Sequence, residues 1–259
     1  MMTSDGCSMT KSELSIKSIN MTTSVDLLEL KKFKKGYADW WDTEHGEFRM
    51  LHQITPIRVE YLKSIFAKYI EPNKKMEDIK LLDVGCGGGI ISYEMSKLGI
   101  KPFGIDANES NVSIAQEHAQ NNSYSAQFFH TTVEDYVNNG NKFDVILCLE
   151  LIEHIINPRE FVSNLAKLLN KGGVIVISTL NRTAKSYLLA IVAAEKILKW
   201  VPKQTHDYNK FIKPSELVMM ASKSDLELLE MKGLGYSVMD QQWIMKDSLD
   251  VNYFAVFKL

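Results

Sequence analysis

The stretch LLDVGCGGGIISYEMSKLGIKPFGID, Leu81 to Asp106, constrains this chain more than any other part of it. An apolar run ends in glycines at 85, 87, 88 and 89, an amphipathic segment follows at once, and a second apolar run closes on an acid. That order reads as strand, turn, helix and strand, with bared backbone at the carboxyl end of the first strand.

The alternation continues along the chain. Pro102–Asp106, Ala126–His130, Lys142–Glu150 and Gly172–Leu180 read as further strands, and Asp225–Met231 and Val251–Leu259 as two more. Helices are expected over Ile90–Gly99, over Ser110–Asn122 with Ser110 as N-cap, and over Asn157–Leu169 with Pro158 in the first turn. Such a pattern predicts an α/β fold with parallel strands joined by right-handed helical crossovers. Its ligands belong at the carboxyl ends of the strands, near the switch point. With 259 residues there is room for one domain with extensions. Residues 1–25 read as a poorly ordered tail and 26–259 as that domain. Within it, 26–75 form an N-terminal helical cap.

The turn departs from the dinucleotide fingerprint. Gly85 and Gly87 match, but the third position is Ile90, too bulky for close helix–strand packing. Asp83 stands just before the turn, where a carboxylate repels a pyrophosphate and suits a cation or an amino group. Asp106 falls about 20 residues on, at the offset of an acid that binds a ribose diol. Together these predict a phosphate-free nucleoside with a positive charge, which S-adenosylmethionine satisfies. The competing reading is a turn that only packs a βαβ unit, which needs neither Asp83 nor the extra glycines.

Composition removes other classes. The formal net charge of -2 implies no global affinity for polyanions, so no nucleic-acid partner is expected. Cys7, Cys86 and Cys148 fit no zinc spacing and point to a reducing, cytosol-like compartment. No apolar run approaches the ~18 residues of a membrane span, and neither a secretory nor a mitochondrial leader is read in the first residues. The segment 181–214 is locally basic: Arg182, Lys185, Lys196, Lys199, Lys203, Lys210 and Lys213 face only Glu195 and Asp207. At helical spacing Lys185, Lys196 and Lys199 share one face and Ala190, Ala194, Ile197, Leu198 and Val201 the other, with Trp200 at the end. Such a helix lies in a membrane surface or packs on a core with its lysines solvated.

Glu150, Glu153 and His154 follow the strand Lys142–Glu150 at the ligand edge. On a helical turn all three share a face, and two carboxylates with an imidazole could hold Mg²⁺. The other reading leaves Glu150 capping a loop, Glu153 solvated and His154 packing. Without a metal, His154 is the first candidate for the general base, and His206, beside Asp207, the second.

The D-V-G-C-G-G-G motif with its later acid resembles the class I S-adenosylmethionine-dependent methyltransferases. WWDTEHGEFRMLHQITPIRVEYL (Trp40–Leu62), CLELIEHI (Cys148–Ile155) and the segment Ser178–Leu217 resemble the ubiquinone-biosynthesis O-methyltransferases in particular, over roughly Leu30 to Lys258. The resemblance implies a Rossmann-like seven-stranded sheet, its last strand antiparallel, with helices on both faces and the amphipathic helical insertion. It implies Gly85, Gly87 and Gly89 along the methionine moiety, Asp106 on the ribose, Val133 and Glu134 near the adenine, and Leu149 and Arg58 against the cofactor. It further implies methylation of catechol hydroxyls on polyprenylated ubiquinone precursors. The partners implied are that substrate, anionic lipids at the cytoplasmic membrane face, and other proteins of the pathway. A nicotinamide dehydrogenase, a methyltransferase for another phenol, and a non-catalytic S-adenosylmethionine-binding protein are the rivals.

Overall fold

A computed structural model of the chain describes residues 36–188, 207–237 and 239–259. Residues 1–25, most of the amphipathic insertion and His206 lie outside the described residues.

Among the described residues one sheet of eight strands runs in the order β3-β2-β1-β4-β5-β8-β6-β7. β1 (Leu81–Val84), β2 (Phe103–Asp106), β3 (Gln127–His130), β4 (Phe143–Leu149) and β5 (Leu169–Leu180) are mutually parallel. β8 (Asn252–Lys258) enters antiparallel between β5 and β6 (Glu227–Ser237). β7 (Gln242–Lys246) folds back on β6 as an edge strand. The sheet therefore has one strand more than the expected seven. β7 pairs with Gly233–Ser237 along the edge of β6 away from β8, and Gly235–Ser237 run past Leu234, the partner of Asn252 in β8.

The central strands are buried on both faces, as strands between helical layers are. Period-two alternation sorts their side chains. Ile146, Cys148, Ile175 and Ile177 face one layer with Phe161, Val162, Leu165 and Leu217. Those belong to α6 (Pro158–Leu168) and α7 (Pro214–Ser222). Val145, Leu147, Val174 and Val176 face the other layer with Leu62, Ile65, Phe66 and Met95. Those come from α2 (Arg49–Tyr69), which follows a short α1 (Tyr37–Trp41), and from α3 (Ile90–Lys97). α4 (Glu109–Asn121), α5 (Val133–Tyr136) and a single helical turn at Ala184–Ser186 are also present.

Capping follows local chemistry with one difference from expectation. Asn157 caps α6 by accepting from the Glu160 N–H, and Pro158 opens the helix. α4 is capped by Asn108, whose side chain accepts from the Ser110 N–H at 3.1 Å, and not by Ser110. The reason is Asp106: its carboxylate accepts from the Asn108 N–H at 2.7 Å and holds that residue extended, just outside the helix. Among the described residues no helix is long and apolar enough to cross a membrane.

Candidate active site and cofactor cradle

β1 and β4 are neighbours whose following segments diverge, so a crevice opens at their carboxyl ends. The glycine turn forms its floor. Gly85, Gly87 and Gly89 have φ of +70°, +54° and +88°, the left-handed region that glycine enters without a Cβ penalty. The Gly85 and Cys86 N–H groups both donate to the Ile105 carbonyl, at 2.8 and 3.1 Å. The Gly87 N–H donates to Asp106 Oδ2 at 2.9 Å. Asp106 thus clasps the turn with one oxygen and the start of α4 with the other. The Asn111 side-chain amide makes a third, long contact with Asp106 at 3.5 Å. Of the about four lone-pair sites of a carboxylate, one is then open and one weakly held for a ribose diol. Burial raises the Asp106 carboxyl above the usual range, against the lowering effect of the Asn108 and Gly87 N–H groups.

Asp83 is buried in the last turn of β1, and Ser92 Oγ of α3 donates to it at 2.7 Å. Burial pushes its pKa up to about 6, with Ser92 opposing and the Asp106 charge reinforcing the rise. The cradle therefore holds two carboxylates whose charges favour a cationic ligand. Sequence reasoning missed Ser92, although its place one turn into the helix that follows the glycines was a usable signal.

Two consecutive tryptophans close the turn from outside. The Trp40 indole lies across Gly87 and Gly88. The Trp41 Nε1–H donates to the Gly88 carbonyl at 3.2 Å, and its ring stacks on His118 with centroids 3.3 Å apart.

Arg58, on the buried face of α2, forms an ion pair with Glu150. The other Glu150 oxygen accepts from Ser178 Oγ at 2.7 Å and from Asn252 Nδ2 at 2.9 Å. Glu150 has φ of +48°, a strained setting for a residue with a side chain and a frequent mark of functional sites. Glu153 is fully buried, accepts from Thr179 Oγ1 at 2.8 Å, and has its carboxyl raised by burial.

The expected metal group is not assembled. Among the described residues no three His, Cys, Asp or Glu side chains are arranged to hold an ion. The left-handed backbone at Glu150 takes it out of helical register with the 3₁₀ turn Ile152–His154, and its carboxylate goes to Arg58. His154 keeps its place on that turn at the ligand edge.

The remaining candidates sit at strand ends. Val133 is the first residue of α5 after β3, with its side chain in the core, and Glu134 follows half-buried. Leu149 is the last residue of β4, half-buried beside Glu150. Cys86 and Cys148 are buried, and burial holds both thiols well above their usual range.

A family profile described as "Methyltransferase domain" matches residues 51–231. The chain is 44% identical to a ubiquinone biosynthesis O-methyltransferase of Rickettsia bellii over 237 residues, covering 91% of this chain and 97% of that one. It is 40% identical to the protein of that name from Pelagibacter ubique, covering 90% and 98%. Among solved structures it is similar to the magnesium protoporphyrin IX methyltransferase of Synechocystis with bound S-adenosylhomocysteine, with a TM-score of 0.61 at 16% identity over 89% of this chain and 97% of that one. A plantazolicin methyltransferase in complex with S-adenosylhomocysteine gives a TM-score of 0.60 at 18% identity over 89% and 96%. These last two likenesses establish the Rossmann-like methyltransferase fold around the mixed sheet. By its fold, its cradle and its extended likeness to these relatives, the chain belongs to the ubiquinone-biosynthesis O-methyltransferase family of class I S-adenosylmethionine-dependent methyltransferases.

Proposed function

We propose that this chain is an O-methyltransferase of ubiquinone biosynthesis. It moves a methyl group from S-adenosylmethionine to catechol hydroxyls of polyprenylated precursors, 2-polyprenyl-6-hydroxyphenol and 3-demethylubiquinol. The observation that carries this reading is the 44% identity spread over nearly the whole of both chains. A shared fold alone serves many chemistries and would not carry it.

The reaction is an in-line displacement: the catechol oxygen bonds to the methyl carbon, the carbon–sulfur bond breaks, and the phenolic proton goes to a base. In this reading Asp106 grips the ribose, Asp83 favours the positive end of the cofactor, and the glycine turn lets backbone approach the methionine moiety. Positioning of the two reactants supplies most of the rate. His154 is the first candidate for the base and His206 the second. Replacement of the true base by Ala is expected to lower kcat by about 10²–10⁴-fold.

Glu150 is committed to Arg58, so the displacement is proposed to run on the chain's own residues. Dialysis against EDTA tests this directly. A loss of turnover restored by Mg²⁺ would mean that Glu150 releases Arg58 to take the ion.

The basic segment 181–214 is proposed to rest on anionic lipid and to receive the isoprenoid tail. Tyr187 and Leu188 at its start are 41% and 57% exposed, which suits an apolar contact. The deciding experiment is a methylation assay on short-chain isoprenoid catechols with and without anionic liposomes. Cofactor binding without methylation of any such catechol would reject the assignment.

A further inference from the structure

The reading that the glycine turn holds S-adenosylmethionine leaves a buried donor beside it unexplained. Trp40 is only 6% exposed, yet its indole Nε1–H has no acceptor among the described residues. The Nε–H of buried Arg58 is in the same condition. A buried N–H without an acceptor has given up its water and gained nothing in return, so such groups call for an explanation, a bound partner among them.

The Trp40 ring is not placed by default. A Cβ on Gly87 would fall 2.2 Å from Cη2 and one on Gly88 2.6 Å from Cγ, so the indole lies directly on the turn. Phe48 stacks on the indole with centroids 3.9 Å apart and 18° between planes. The ring nitrogen Nε2 of His52 lies 2.7 Å from the Trp40 carbonyl oxygen. The neighbouring Trp41 is fastened to Gly88 and His118. The ring is thus held against the turn that would take the amino-acid end of the cofactor.

The charges at this turn make such a donor useful. Asp83 and Asp106 favour the sulfonium and the ammonium but repel the α-carboxylate of the same ligand. Arg58 could offset them, but Glu150 neutralises much of its charge. Uncharged or spare N–H donors are then the means left for seating a carboxylate, and bonds to an ionised acceptor are the strong ones.

We propose that Trp40 is a cofactor-positioning residue: its indole walls the amino-acid side of the glycine turn, and its N–H binds the α-carboxylate of S-adenosylmethionine. Trp40→Phe keeps the ring and removes the N–H. Titration calorimetry with S-adenosylhomocysteine and with 5′-methylthioadenosine, which lacks the amino-acid end, separates seating from packing. The expected result is affinity for S-adenosylhomocysteine lowered by about tenfold or more, with methylthioadenosine unchanged within about twofold. Equal losses for both ligands, or none for either, would overturn the proposal. Should the variant fail to fold, ¹⁵N-tryptophan-labelled wild-type protein gives the answer. One indole N–H resonance should move with S-adenosylhomocysteine and stay put with methylthioadenosine, and its indifference to both would reject the bond. Wild-type protein that binds neither ligand would instead refute the cofactor reading itself.

Discussion

Arg58 of α2 and Glu150 at the end of β4 are ion-paired across the cradle, the arginine side chain 3% exposed. Ser178 of β5 and Asn252 of β8 donate to the same carboxylate. One acid therefore ties a helix to three adjacent strands at the ligand edge.

Removing one partner leaves the other buried and unpaired, which is costlier than removing both. Glu150→Ala is expected to lose about 3–5 kcal/mol in urea unfolding. The Arg58→Met, Glu150→Leu double variant should recover a large part of that loss. A double variant as unstable as Glu150→Ala would deny the coupling.

Asp83 predicts a pH dependence. Its pKa is about 6 in the folded protein against an ordinary 3.8. Between those values the folded protein holds a proton that the unfolded chain has released, so stability falls as pH rises through that window. It stays at the lower level above it. Asp83→Asn removes the titration, and the difference in unfolding free energy between wild type and variant should change by on the order of 2–3 kcal/mol from pH 4 to pH 7.5. A constant difference would mean that Asp83 is not shifted.

Gly88 is absent from the glycines with positive φ, so its need for glycine comes from close packing, with the three nearest atoms all supplied by Trp40. Gly88→Ala should cost about 1–3 kcal/mol by overpacking, and a second change, Trp40→Leu, should relieve it. Gly99 is the contrast: its φ is +90°, and a methyl group there would meet nothing within 4 Å. Gly99→Ala should cost about 1–2 kcal/mol from backbone strain, with no relief from Trp40→Leu. Thermal unfolding of the four variants distinguishes the two causes.

Asp106→Ala should weaken S-adenosylhomocysteine by about 100-fold or more, since two hydroxyl bonds to a charged acceptor are lost. Adenosine should weaken in the same proportion, because the ribose is common to both. Calorimetry that finds Asp106→Ala binding as tightly as wild type would remove the ribose role.

The parallel half of the sheet was legible because strands buried on both faces are short continuous apolar runs, as in Val145–Leu149 and Val174–Ile177. β7 was not. Gln242–Lys246 holds only Trp243, Ile244 and Met245 as apolar residues, all half-buried, and it has a partner on one side alone, the edge of β6. The acids of the site announced themselves by offset from the glycines. Their partners Ser92, Ser178, Thr179 and Asn252 did not, since three of the four arrive from distant strands. The spacing of Glu150, Glu153 and His154 suggested one helical face, and a single left-handed residue undid it. A sign change in one φ leaves no trace in a residue pattern.

The clasp between Asp106 and Gly87 has a consequence for how fast the protein works. Because the carboxylate already fixes the loop, an arriving nucleoside meets a finished receptor and spends none of its interaction energy on ordering the chain. Entry and exit of ligand should then leave the floor of the crevice unchanged from one turnover to the next.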